Sequence, residues 1–388
     1  MGIGERRGIG AMNNPVRISI LGDVCPAWGF RSSFDLADHV LVFGDVLSSL
    51  KDSDLVIGNL ETPISLKGKP IVKCGPCFCS RPNDMRVLKS AGFDVLSLAN
   101  NHVLDYGAEA LLDTIAIAEA NEILTVGAGS DRTVAEKPLI QEVKGRSIGV
   151  LGFAEHEFNI AGEATAGANL FDPYSSLKDV GDAKARCDYL IVLYHGGIEE
   201  YPLPSPLLQK KCRAMADAGA DLILCQHSHC IGTRENYHGT EILYGQGNAI
   251  FGKHGNPAWD TGLLATVELS DGGSKVYYRA FSAGEKGISF LGDQGNREVL
   301  EHMEQLSAKL DEPAYLKQRW DAYCDKLAPM DIPLLLGWNR ALNKLNRIMK
   351  NRPINWFMNR RKAMIVMNLV RCDAHHEVIQ TILENMQK

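Results

Sequence analysis

The sequence predicts a layered α/β fold, its sheets flanked by helices, with a helical region towards the C-terminal end. Three observations lead there. Short Val/Ile/Leu-rich runs that stop at Gly, Asn or His recur, as in VRISILG (16–22), DLVIGN (54–59), FDVLSLAN (93–100) and EILTVGAG (122–129). The form returns in SIGVLGF (147–153), DYLIVLYHGG (188–197), ADLILCQHSH (220–229) and EILYGQGN (241–248), each reading as a buried strand entering a turn. Between several of them lie NDMRVLKSAG, EALLDTIAIAEAN and LLQKKCRAMADAG. These place apolar residues at three- and four-residue steps and end near Gly or Asn, as helices do. Beyond about residue 286 the pattern turns mostly helical, broken at Pro313, Pro329, Pro333 and Pro353.

Strands that alternate with helices imply sheets covered by those helices. LATVELSDGGSKVYYRAFSA (264–283) predicts a hairpin with a DGG turn that closes the sheet system. The expected organisation is a flexible tail over residues 1–14, a main domain over 15–285 and a smaller helical region over 286–388.

The chain has 388 residues, 45% hydrophobic and 23% charged, the balance of an ordinary globular protein with a substantial core. A net charge of -6 argues against a protein devoted to nucleic acid. The opening MGIGERRGIGAMNNP lacks the apolar stretch of a secretory signal, and no run approaches the roughly 18 apolar residues that cross a bilayer. The expected location is therefore the cytoplasm, with peripheral contact at the inner membrane face as a variant. Ten cysteines in a chain this long do not make a dense disulfide framework. Cys74, Cys77 and Cys79 cluster in KCGPCFCS, but a zinc site needs a second ligand pair, and no matching CxxC occurs. Free thiols are the simpler reading.

Between Asp331 and Asp373 stand nine Arg or Lys and no acidic residue, a sign opposite to that of the whole chain. Such a stretch is a solvated basic face, a contact with an acidic subunit such as a synthase, or a surface for membrane headgroups or a polyanion.

Polar residues gather at the strand ends. LGD ends in Asp23, GNLE supplies Asn59 and Glu61, ANNH supplies Asn101 and His102, LYHGG supplies His195, and CQHSH supplies His227 and His229. The carboxyl ends of strands in an α/β sheet are where functional side chains converge. Carboxylate, amide carbonyl and neutral imidazole are the donors a borderline divalent metal accepts. The count suits two ions. A shared carboxylate can hold two ions about 3.5–4 Å apart, and such a pair acidifies water and grips both the attacking and the leaving oxygen at phosphorus. His102, beside Asn101, is then free to give a proton to the leaving oxygen.

The runs ISILGDV, DLVIGNLETPI, AGFDVLSLANNHVLDYG, YLIVLYHGGIEEY, AGADLILCQHSH and EILYGQGNAIF together resemble the CapA family of bacterial capsule and poly-gamma-glutamate synthesis proteins. That family in turn resembles the calcineurin-like metallophosphoesterases in fold. The resemblance implies a metallophosphoesterase-like sheet sandwich. It makes Asp23 a ligand of a first ion and places Glu61 where the phosphoesterases put a bridging aspartate. Asn101, His195 and His227 would hold the second ion, His229 would return to the first, and His102 would be the proton donor. Asp23, His102 and Asn101 are thus the expected catalytic residues. The ions implied are manganese, zinc or iron.

Two departures from the phosphoesterase pattern stand out. Asp23 is followed by Val24 and Cys25 where that pattern has His two residues on, so Cys25 is either a thiolate ligand or a small buried residue. Glu61 is one methylene longer than the usual aspartate. Lys73, Arg81, Glu155, Glu200 and Arg234 are candidates for substrate binding, and the loop with His254, Trp259 and Asp260 is expected to frame the mouth. The expected function is a metal-dependent hydrolase acting on a phosphate ester or on an anionic polymer or its precursor. The alternative is an accessory protein of exopolymer synthesis that binds the anionic precursor without turning it over.

Overall fold

A computed structural model describes residues 15–386 of the chain. Residues 1–14, expected as a tail, lie outside the described residues. The chain divides into two compact units, one ending at Pro313 and the other beginning at Ala314.

The first unit is built on two sheets. One has eight strands. Its main path runs Ile288–Phe290, Gly273–Ala283, Thr261–Ser270, Val16–Val24, Leu55–Leu60, Val95–Ser97 and Leu124–Val126, with Asn248–Ile250 alongside the end of Val16–Val24. The other has six strands, in the order Arg234–Tyr237, Thr240–Leu243, Leu222–Gln226, Tyr189–His195, Arg146–Ala154 and Leu139–Val143. Their facing sides share one core, in which Ile18, Ile57 and Val95 from the first sheet meet Ile191, Leu193 and Leu224 from the second. Both sheets are thereby buried on two faces, which is why their central strands read as continuous apolar runs. The outer face of the first sheet is closed by Phe43, Leu88, Phe93 and Leu111, carried largely by helices.

The helices fall where the periodicity puts them. Pro82–Ala91 ends on Gly92 with φ 108°, Gly107–Ala120 ends on Asn121, and Pro206–Asp217 starts with Ser205 Oγ accepting from the Leu208 amide at 3.1 Å. The DGG hairpin is present, with Ser270 paired to Gly273.

Two expectations change. The main unit does not stop at residue 285, because the helix Asp293–Ser307 buries Met303 in the core between the sheets. The Asn296 carboxamide also accepts from the Ala280 amide at 2.8 Å, so this helix belongs to the first unit. EILYGQGN is not one strand. Thr240–Leu243 ends in the second sheet, and the chain crosses to the first sheet to form Asn248–Ile250. The crossing needs glycine. Gly247 has φ 74°, and a Cβ there would lie 2.6 Å from the Thr261 carbonyl oxygen.

These elements bring several parallel strands to a common edge. Asp23 is level with Asn59 on one side and Asn248 on the other, and His195 is level with Gln226. A register irregularity between Ile20 and Asp23 falls just before the carboxylate, a usual place for a bulge that re-aims a functional side chain. Gly247→Ala is expected to destabilise the metal-free protein by about 2 kcal/mol, the scale of one strained backbone position. Urea denaturation followed by circular dichroism measures it.

Candidate metal centre

The centre is assembled from short segments just past the strand ends. The Asp23 carboxylate is buried and accepts from Asn59 Nδ2 at 2.7 Å and from the His227 amide at 3.1 Å. Asn59 in turn is 3.2 Å from His195 Nδ1 and accepts from Asn100 Nδ2 at 3.2 Å. Asn100 also reaches the Leu60 carbonyl at 2.8 Å, tying the ANNH turn to the segment that carries Glu61.

Glu61 is fully buried, and neither carboxylate oxygen has a hydrogen-bond partner within the protein. Burial, and next the nearby Asp23 charge, push its carboxyl up to about 8. An unpaired buried carboxylate is a costly arrangement unless a cation compensates it. The surroundings can supply the shell for one. Ligand atoms of Glu61, His195 and His227 lie within 4.8 Å of one another, and so do those of Asp23, Glu61 and His229. Glu61 is common to both groups. The residues therefore fit one or two divalent ions.

The imidazoles suit that task. Burial holds His195 below its ordinary pKa, and burial together with His195, His229 and His102 holds His227 well below, so both are neutral donors at pH 7. His227 Nδ1 is buried with no partner. His227 and His229 adopt φ of 86° and 51°, and this left-handed backbone just past Gln226 curls the loop back toward the strand ends. His229 Nδ1 is 2.8 Å from Asn248 Oδ1 and 3.6 Å from Asp23. Asn101 Oδ1 lies 3.1 Å from His195 Nε2, beside the same group.

His102 occupies the edge of this cluster. Its Nδ1 is 2.6 Å from Asp105 Oδ2, and its Nε2 lies 3.9 Å from Glu61. Asp105 is itself held by an ion pair with the buried Lys73 and by the Phe78 amide at 2.7 Å. Aromatic rings surround the site: Phe78 lies 4.5 Å from the His102 ring, while Trp259 and Phe251 lie 4.3 and 4.7 Å from the His229 ring. Trp28 Nε1 donates to His254 at 2.7 Å, and His254 stacks on Trp259.

The sequence profile of the bacterial capsule synthesis protein family PGA_cap matches residues 17–253, the stretch that carries every one of these donors. The chain belongs to this family. It is 30% identical to the capsule biosynthesis protein CapA of Bacillus anthracis over 273 residues, covering 68% of this chain and 66% of that one. It is 32% identical to the PGA biosynthesis protein CapA of Bacillus subtilis over 228 residues, covering 58% and 60%. The match thus spans somewhat less than two thirds of the length of these relatives. A solved structure with a similar chain trace is the 5'-nucleotidase precursor from Thermus thermophilus, 14% identical, with a TM-score of 0.44 over 77% of this chain and 60% of that one.

Within this chain, Asp23, Glu61, Asn101, His102, His195, His227 and His229 come together, whereas the expected substrate contacts do not. Arg81 is paired with Asp35 at 2.6 Å, and Arg234, on an edge strand, is paired with Glu241 and Glu304. Lys73 reaches the site but is committed to Asp105. Each cation is neutralised by an acid that its own fold neighbours supply, a pairing no linear pattern displays. Glu155 is engaged behind His195, where its carboxylate accepts from Lys211 at 2.8 Å, Tyr194 at 2.9 Å and the Gly197 amide at 3.0 Å. Burial opposes its charge, but these bonds together hold the carboxyl below its ordinary value.

Glu200 is exposed and lines an apolar cavity of about 450 Å³ beside the helix Asp293–Ser307. Its neighbour Glu199 is the one grouped with His227 and His229. Cys25 packs with Phe78 and Phe251, its thiol held protonated by burial and by Glu61, and it joins none of the donor groups among the described residues. The cysteines of KCGPCFCS likewise form no donor group, and all are free thiols. Two polar partners have no role in the sequence reading of the site: Asn248, which orients His229, and Asp105, three residues after His102. Asn59, read there only as a strand-end residue, orients Asp23.

Because the Glu61 carboxyl of the metal-free protein titrates near 8, it is protonated at pH 7 and binding a divalent ion must release that proton. Calorimetric titration at pH 7 in buffers of different ionisation enthalpy should therefore show net proton release, declining as the pH rises through 8. The same argument fixes the sign for stability. A carboxyl whose folded-state pKa is raised costs folding stability once pH exceeds its unfolded value, increasingly up to the folded one. Glu61→Gln should thus raise the thermal midpoint of the metal-free protein at pH 8.5 while reducing the gain that added metal gives. Differential scanning calorimetry with and without metal checks both.

Proposed function

We propose that the protein is a metal-dependent hydrolase acting on an anionic substrate, either a phosphate ester or an acidic polymer or its precursor. The observation that carries this reading is Glu61, a fully buried carboxylate with two unpartnered oxygens, ringed by Asp23, His195, His227 and His229. On this reading Asp23 and His229 would hold one ion, His195, His227 and Asn101 would hold a second, and Glu61 would serve both. Zinc, manganese or iron, when bound, would supply Lewis acidity, stabilising negative charge that develops on a phosphoryl or acyl oxygen.

The chain's own groups do the rest. His102 Nδ1 faces Asp105, which fixes the ring and turns Nε2 toward Glu61 and the interior of the site. From there Nε2 passes a proton to the leaving oxygen or nitrogen. Lys73 keeps Asp105 in place and Phe78 packs against the imidazole, so the ring has little freedom to turn away. Trp28, Phe251 and Trp259 line the surroundings with apolar surface, which limits water and strengthens every charge interaction inside. The family's part in capsule synthesis favours a carboxylate-rich polymer or its precursor as the anion. It also keeps attack at an amide carbonyl beside attack at phosphorus.

A second reading rests on Cys25. It stands in apolar packing where the phosphoesterase pattern has an imidazole, which leaves Asp23, Glu61 and His229 as the donors of the first group. Such a site would hold a single ion at His195 and His227 and bind an anionic precursor without turnover, as an accessory protein of exopolymer synthesis.

Metal-free protein reloaded separately with manganese, zinc and iron, then screened on phosphomonoesters, phosphodiesters and gamma-glutamyl amides, separates the two. Turnover on at least one class is expected. His102→Ala should lower kcat by about 10²–10⁴ with metal content unchanged, the usual contribution of a proton donor. The double change His195→Ala with His227→Ala should lose the ion of that group and so lower the metal content. Stoichiometric metal without turnover on any class would favour the accessory reading.

A further inference from the structure

The second unit presents a surface that the metal centre does not use. Its helix Arg340–Ile348 starts on Asn339, whose side chain accepts from the Ala341 and Leu342 amides at 3.1 and 3.0 Å. Along it Arg340, Lys344 and Arg347 recur at four- and three-residue steps and fall on one side. Leu342, Leu345 and Ile348 fall on the other, and they are 45%, 49% and 68% exposed. An apolar helix face normally goes to the core. Here it stays open.

The pattern continues. Trp356 is 76% exposed and Phe357 45%, next to the helix Arg360–Arg371, which opens with Arg360, Arg361 and Lys362 and then exposes Met364, Ile365 and Met367. The Lys362 ammonium lies 5.0 Å from the centre of the Phe357 ring. Across the whole stretch between Asp331 and Asp373 there are nine basic residues and no acid.

We propose that this unit docks on an anionic lipid surface, with the helix Arg340–Ile348 lying in the plane of the bilayer interface. The charge decides the occupant. A second copy of the chain would bring the same uncompensated cations against one another. An anionic bilayer offers acid headgroups and, a few ångströms deeper, an apolar layer, and it takes both faces of such a helix without requiring a matched shape. The helix has nine residues, roughly 14 Å at 1.5 Å per residue, less than half the thickness of a hydrocarbon core, so its contact is interfacial. No helix among the described residues is long and apolar enough to cross a membrane.

The test uses the full chain and vesicles of phosphatidylcholine alone or with one-third phosphatidylglycerol. Co-sedimentation is expected with the anionic vesicles and not with the neutral ones, and it should weaken as salt is raised, since screening shortens the reach of the headgroup charge. Each basic residue near such a surface is worth about fivefold in partition. Lys344→Glu with Arg347→Glu should therefore lower binding at least tenfold. Leu345→Ser with Ile348→Ser should also weaken it, with far-ultraviolet circular dichroism and metal content unchanged in both variants. Unchanged metal content separates this result from any failure of the hydrolase reading. Absence of binding to anionic vesicles, equal binding to neutral ones, or binding indifferent to all four substitutions would overturn the proposal. So would sedimentation equilibrium showing that self-association alone covers this face.

Discussion

Everything around the candidate centre follows from the cost of burying the charge of Glu61. A carboxylate taken out of water without partners is either protonated or neutralised by a cation, and this one stands among groups that can bind a cation but cannot donate well to it. Asp23 is a second acid, and His195 and His227 are kept neutral by the same burial. These two imidazoles are thereby poised in the protonation state a metal accepts, while Glu61 carries a proton that the metal must displace. The strain in the chain points the same way. Left-handed backbone at His227 and His229, and a glycine crossing between the two sheets at Gly247, are local costs that serve to bring side chains to one place.

A second layer of polar residues converts this cluster into a defined geometry. Asn59 bonds Asp23, touches His195 and accepts from Asn100, and Asn100 holds the backbone at Leu60. Four strand ends are thus cross-braced by two amides. On the far side of His195, Glu155 gathers Tyr194, Gly197 and Lys211, so the segment that carries the imidazole is fixed from behind. Groups that a linear reading offers as substrate contacts turn out to brace the donors. That is the usual relation between a metal shell and its supports.

The same contrast runs through the whole chain. The strand–helix alternation was plain because a strand buried on both faces must be apolar throughout, and a covering helix must be apolar at three- and four-residue steps. The hairpin was plain because DGG admits little else. Two elements were opaque. EILYGQGN reads as one strand because composition cannot show that its two halves join different sheets. The helix Asp293–Ser307 reads as the start of a separate region because its stripe of Val299, Leu300, Met303 and Leu306 shows that one face is apolar but not which core that face joins.

What the sequence determined by itself is the chemistry: Asp, Glu, Asn and His follow directly on apolar strands, and local order alone guarantees that they emerge at strand ends. What only the tertiary structure decided is partnership. Whether Lys73 meets a substrate or Asp105, whether Cys25 faces an ion or Phe251, and whether Arg234 is free or bound to Glu304 depends on residues tens of positions away. Electrostatic neutralisation acts through space, over distances that chain separation does not encode, so the donors could be read in order while their counter-charges had to wait for the fold.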